Sequence, residues 1–217
     1  MTQKPATQIW SLVHAERQAL IGDLQGLHAA DWANPTACPG WNVHDVAAHL
    51  VDNALTTPLG FLRRLVAARL DFDRLNQRGV DALRAMDPEQ LLRRLRQVAG
   101  RRTGPPAAPA SRLVEEIVHG EDIRRAAGLR RDYPHRALEL ALGYQAHTAQ
   151  EFGGARQLAQ RVQLVSADGG FRLGLGPELR GPRLELLLQL TGRRARPGSL
   201  SGAGLALLAE HPRHPGE

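Results

Sequence analysis

The chain has 217 residues, enough for one large domain or two small ones around a sizeable core. Hydrophobic residues make up 42% and charged residues 23%, an ordinary globular composition, and no apolar run approaches the roughly 20 residues that span a bilayer. The net charge of +6 is almost all arginine, Lys4 being the only lysine, and those arginines are dispersed among acids with only 4% aromatics, which argues against a nucleic-acid partner. Met1 to Ala6 lacks the basic-then-apolar order of a signal peptide, so a cytoplasmic protein is expected. A single cysteine, Cys38, excludes an internal disulfide framework and a CxxC metal site.

Residues 7–27 place Ile9, Leu12, Val13, Leu20, Ile21, Leu24 and Leu27 at helical spacing and predict a first helix. The stretch D-W-A-N-P-T-A-C-P-G-W (31–41) is broken by two prolines and a glycine and reads as a loop anchored by Trp32 and Trp41. Cys38 has no basic neighbour in sequence to activate its thiol and reads as structural unless folding brings it to a site. Asn42 is placed to cap a second helix, V-H-D-V-A-A-H-L, whose stripe is Val43, Val46, Ala47 and Leu50. His49 lies beside that stripe, with Asp45 one turn earlier and in range to orient its ring through the second nitrogen. Taken alone, His49 is more simply a histidine satisfied inside a core. Pro58 predicts a kink or a break before a helical continuation toward Leu70.

Asp87-Pro88-Glu89 is a helix start, followed by Leu91, Leu92, Leu95 and Val98 as a buried face and Arg93, Arg94 and Arg96 as a solvated one. A proline- and glycine-rich loop, 100–110, precedes a fourth helix that begins between Ala108 and Ser111 and stops near Gly128. This helix carries L-V-E-E-I-V-H-G-E-D-I-R-R (113–125). Glu115 and His119 are four residues apart, on one face and one turn apart. A carboxylate and an imidazole so placed can grip a divalent metal from one side, or be an ordinary surface pair. Two ligands do not make a site; the third must come from elsewhere, and His49 is the candidate. Asp122, three residues after His119, is a further ligand or a partner behind it.

Residues 134–152 predict a fifth helix that Gly153-Gly154 ends, and the domain joint is expected there. Beyond it R-V-Q-L-V-S alternates as a strand, Asp168-Gly169-Gly170 turns, and F-R-L-G-L reads as its hairpin partner. Gly181-Pro182 opens an apolar helix, and Leu205 to Leu208 is a last apolar segment before a polar, proline-bearing tail expected to be loose. The expected organisation is therefore mainly α: a helical bundle over 1–154 and a small α+β domain over 155–217.

Three segments carry a resemblance. T-A-C-P-G-W-N-V-H-D-V-A-A-H-L (36–50) resembles the N-terminal motif of the mycothiol-dependent maleylpyruvate isomerase family, a branch of the DinB-like metal-binding bundles. E-x-x-x-H-G-E-D-I-R-R (115–125) resembles its second metal motif, and G-P-R-L-E-L-L-L-Q-L-T-G-R (181–193) its appended α+β domain. The resemblance implies an up-down four-helix bundle with a divalent metal at one end, held by His49, Glu115 and His119; Asp45 and Asp122 remain the supporting carboxylates that the spacing suggests. Zinc is the metal such a set most commonly takes, and its carboxylate also suits nickel, manganese or iron. The resemblance further implies an isomerase or transferase that uses a low-molecular-weight thiol, mycothiol or bacillithiol, with the metal favouring the thiolate. Arg124 is a candidate for binding a substrate carboxylate. The alternative is a non-catalytic metal-binding DinB-like protein of stress response or regulation. The partners implied are a thiol and a small electrophile, with no membrane and a monomer or homodimer.

Overall fold

The computed structural model describes residues 5–209; residues 1–4 and the tail after residue 209 lie outside the described residues. The chain separates into two compact units, Met1–Arg131 and Asp132–Glu217.

The first unit is helical. α1 (Pro5–Gln25) is followed by a 3-10 turn, Ala29–Ala33, and by α2 (Val43–Leu55). Asn42 caps α2 as expected. Its side-chain oxygen accepts from Asp45 N at 2.9 Å, and the Asp45 carboxylate accepts from Asn42 N at 3.3 Å. α2 stops at Leu55, and α3 (Pro58–Ala67) starts afresh with Thr57 as its cap, so Pro58 marks a break and not a kink. α4 (Phe72–Asp81) has no counterpart in the sequence reading, because its buried positions, Leu75, Gly79 and Val80, are too few to make an apolar stripe. α5 (Pro88–Val98) begins at the expected cap, Asp87, which accepts from Gln90 N at 2.7 Å. α6 (Ala110–Ala126) carries the E-x-x-x-H motif.

α1, α2, α5 and α6 form a four-helix bundle in which α1 and α2 each pack on both α5 and α6. Leu20, Leu24, Val46, Leu50, Leu91, Leu95 and Ile123 fill its centre, each burial contributing about 1.5–3 kcal/mol. α6 is buried on nearly all sides, charged residues included. Its charges are compensated: Glu116 meets Arg17 at 2.7 Å, and Arg124 meets Asp23 at 2.7 Å. A charge taken out of water without such a partner would be prohibitively costly.

The second unit begins with α7 (His135–His147) and a short α8 (Arg156–Ala159). Three strands follow, β1 (Gln163–Ser166), β2 (Arg172–Leu173) and β3 (Glu178–Gly181), in the order β2-β1-β3. The expected hairpin is the antiparallel β1–β2 pair; β3 adds a parallel pairing with β1 that the sequence reading did not contain. Gly174 makes the return possible: it sits at φ 86°, and a Cβ there would fall 2.5 Å from the Val162 carbonyl oxygen. α9 (Arg183–Leu190) and α10 (Leu205–Ala209) complete the unit.

The boundary differs from the one expected at Gly153-Gly154. α7, placed by sequence at the end of the bundle, packs on α9, and its Gln145 donates to the carbonyls of Gly153 and Leu190. The compact units therefore divide after Arg131. Among the described residues no helix is long and apolar enough to cross a membrane.

Candidate metal centre

α2 and α6 pack side by side, and this brings His49 to the Glu115/His119 pair. The Nε2 atoms of His49 and His119 lie 3.3 and 3.4 Å from Glu115 Oε2. Taking one ligand atom from each residue, the three atoms lie within 4.8 Å of one another. The two imidazole rings meet edge to face, with centroids 4.8 Å apart. Asn53, one turn beyond His49 on α2, places Nδ2 2.9 Å from both His49 Nε2 and Glu115 Oε2. The Trp41 ring lies 5.1 Å from that of His49 and walls one side, held by a 2.9 Å hydrogen bond from its Nε1 to Gln77. Glu115 is the most open of the three, its side chain 30% exposed against 5% for His49 and 13% for His119. Two imidazoles and one carboxylate, converging with one open side, fit a divalent ion of the zinc type.

Residues 13–103 match the family described as the mycothiol maleylpyruvate isomerase N-terminal domain. The match begins inside α1 and ends after α5, so it includes His49 but stops short of Glu115 and His119. Crystal structures of a mycothiol-dependent maleylpyruvate isomerase, and of a histidine-to-alanine mutant of it, share the fold across 99% of both chains. Their TM-scores are 0.61 and 0.64, at 15% and 14% identity. An uncharacterized protein of Mycobacterium tuberculosis, in strains CDC 1551 and H37Rv, is 29% identical over 59% of this chain. The chain spans about 60% of the length of those relatives.

Asp122 and Asp45 have different fates. Asp122 stands behind His119, with Oδ2 3.0 Å from Nδ1, and so turns Nε2 toward Glu115. Asp45 does not orient His49. Its carboxylate is drawn into the cap of α2 and toward Arg84 at 3.3 Å, because a residue in the first turn meets unpaired backbone N–H groups before it meets a ring one turn on. His49 Nδ1 is buried without a hydrogen-bond partner, and packing against Trp41 holds the ring.

Arg124 is also not where a substrate anchor would be. It is fully buried, and its Nε donates to Asp23 of α1 at 2.7 Å. Cys38 does reach the site, through the loop before α2. Its Sγ lies 3.2 Å from Asp122 Oδ2 and 3.7 Å from His119 Nδ1. Cys38, His119 and Asp122 thus form a second group able to hold a metal, but it uses the Nδ1 side of the His119 ring. The two groups compete for opposite nitrogens of one imidazole, so Cys38 is not a fourth ligand for an ion held at Nε2.

Sequence reasoning missed Asn53, Trp41 and Arg112 as neighbours of the site. The first and last had a signal: Asn53 is four residues after His49, and Arg112 is three before Glu115, the spacings of a shared helix face.

The protonation states favour metal binding at two of the three candidate residues and oppose it at the third. Burial depresses the His49 pKa, which keeps the ring neutral. For Glu115, burial pushes upward, but hydrogen bonds from His119 and His49 and the nearby Arg112 outweigh it and hold the carboxyl well below its usual range. For His119, burial pushes downward, but hydrogen bonds with Asp122, Cys38 and Glu115 prevail and raise the pKa well above the ordinary value. Glu115 is therefore an ionised carboxylate and His49 a neutral ring, whereas His119 would have to release a proton to act as a ligand.

Proposed function

We propose that this chain is a metal-dependent enzyme that uses a low-molecular-weight thiol to isomerise, or transfer sulfur to, a small electrophile of the maleylpyruvate type. The observation that carries this reading is the convergence of His49, Glu115 and His119 on one open-sided position within a fold shared with a mycothiol-dependent maleylpyruvate isomerase. His49, Glu115 and His119 would hold the ion, zinc being the best match to two imidazoles and a carboxylate. A divalent metal there supplies Lewis acidity, which keeps a thiol as its thiolate near neutral pH.

The chain's own residues do the rest. Asp122 fixes the ring of His119 from behind, and Asn53 fixes Glu115 from the side, giving up its contact with His49 Nε2 where that nitrogen takes the ion. Trp41 shields the His49 side from water, leaving approach past Glu115. In the isomerisation, the thiol sulfur adds to the conjugated double bond and its π electrons move into the adjacent carbonyl. Rotation about the new single bond follows. Return of the electrons expels the thiol and leaves the trans isomer, so the thiol is regenerated. No protein cysteine is needed, which agrees with Cys38 lying on the far side of His119. A cytoplasmic setting follows from the need for a reduced thiol pool.

The test is turnover. Purified protein is assayed with maleylpyruvate and either mycothiol or bacillithiol, with and without chelator. Conversion to the trans isomer that needs both thiol and metal supports the reading. A metal-loaded protein inert with both thiols, on maleylpyruvate and on epoxide acceptors alike, contradicts it.

A further inference from the structure

Among the described residues, Arg17, Arg112 and Arg124 each leave one buried guanidinium nitrogen without a hydrogen-bond partner, but only Arg112 lies beside the metal centre and has no carboxylate at close range. It lies one turn before Glu115 on α6 and is only 6% exposed. The other arginines buried in α1 and α6 have close carboxylates: Arg17 reaches Glu116 at 2.7 Å and Arg124 reaches Asp23 at 2.7 Å. Arg112 has only a 3.8 Å approach of Nη2 to Glu115 Oε1, its Nε is 3.4 Å from the Ser111 hydroxyl, and its Nη1 is buried with no hydrogen-bond partner. A guanidinium is a planar fork with donors set for two parallel hydrogen bonds to a carboxylate. Here the side of that fork remote from Glu115 is unmatched.

Local charge points the same way. Glu116 is taken up by Arg17 at 2.7 Å, and Glu115 is the carboxylate that Arg112 itself approaches, at 3.8 Å. Glu115 is also the carboxylate of the ligand set. A dication held there would add to the positive charge that Arg112 places beside Glu115, which favours an anionic group on the ligand. Backing from the 100–109 loop fixes the stem: a Cβ at Gly104 would lie 2.9 Å from Arg112 Cδ.

We propose that Arg112 is a binding residue for a carboxylate of the substrate, gripping it beside the metal centre while the reacting double bond lies toward Glu115. This rests on the metal-centre reading above. It replaces Arg124, whose guanidinium faces Asp23.

The experiment titrates maleate calorimetrically into full-length protein, zinc-loaded and metal-free, with uncharged dimethyl maleate as control. Wild type is compared with Arg112→Met and with Arg112→Lys, which keeps charge and stem but loses the fork. Zinc content and melting temperature are measured for each. The expectation is that maleate binds zinc-loaded wild type, that Arg112→Lys weakens it about tenfold and Arg112→Met more, and that dimethyl maleate binding is unchanged. Maleate binding to a folded, zinc-loaded Arg112→Lys or Arg112→Met as tight as to wild type overturns the proposal, as does absence of maleate binding to zinc-loaded wild type. If Arg112→Met does not fold, Arg112→Lys decides. The enzymatic reading fails separately: a protein that binds zinc and maleate through Arg112 but turns over no substrate with any thiol keeps the anion site and loses the thiol chemistry.

Discussion

Oδ2 of Asp122 lies 3.0 Å from Nδ1 of His119, on the opposite side of the ring from Glu115. The carboxylate therefore selects which nitrogen faces the metal and makes that nitrogen a stronger donor. Outer partners of this kind are typically worth about 10–100-fold in metal affinity. Asp122→Ala should weaken zinc binding by that range without removing any ligand. Competition against a chromophoric chelator measures it; unchanged affinity would mean that Asp122 only fills space.

Cys38 shares Asp122 with His119 but stands outside the open side of the site. Cys38→Ser preserves a donor to Asp122 and should retain both zinc and thiol-dependent turnover. Cys38→Ala should cost about 1 kcal/mol of stability through the lost hydrogen bond, with turnover kept. Loss of turnover in a zinc-loaded Cys38→Ser protein would put the protein sulfur into the chemistry.

The raised His119 pKa has a definite sign. In the metal-free protein His119 holds a proton at neutral pH, and the metal must displace it. Metal affinity should therefore rise with pH up to the raised His119 pKa and level off above it. About one proton should be released per metal bound at pH 7, falling toward none at the plateau. Calorimetry in buffers of different ionisation enthalpy reads this directly, and a buffer-independent enthalpy at pH 7 would contradict it.

Arg17 and Glu116 join α1 to α6 with side chains 1% and 2% exposed. Arg17 also donates to the carbonyl of Arg101 at 2.9 Å. Arg17→Met alone leaves Glu116 buried and unpaired, and should cost about 3–5 kcal/mol. Arg17→Met combined with Glu116→Leu should recover part of that loss, since an apolar pair removes the stranded charge. Urea unfolding of both variants makes the comparison; a double variant less stable than Arg17→Met would show the pair to be net stabilising.

Much of the bundle could be read from local rules. Asn42, Asp87 and Pro58 act within one turn of themselves, so the starts of α2, α5 and α3 were legible. The spacing of Glu115 and His119 was legible for the same reason. What failed were choices among partners distant in sequence. Asp45 had two possible roles, and the backbone at the helix start was nearer than the ring of His49. Arg124 could not be separated from Arg112, because only the packing of α1 on α6 shows that Asp23 satisfies one of them. α7 looked like a bundle helix because Gly153-Gly154 reads as the joint, and its partner α9 lies more than thirty residues on. Cys38 had no local signal of its place; the loop that carries it is folded back by the Trp41 and Thr36 contacts.

Metal content is the most direct test of the central claim, that α2 and α6 build one metal site. Elemental analysis of purified wild type should give about one divalent ion per chain, as a three-ligand site requires. His49→Ala, with its residue 66 positions from Glu115, should lose that ion while keeping the helical content of wild type. Equal metal content in wild type and His49→Ala, or none in wild type after reconstitution with zinc, nickel, manganese or iron, would contradict the account.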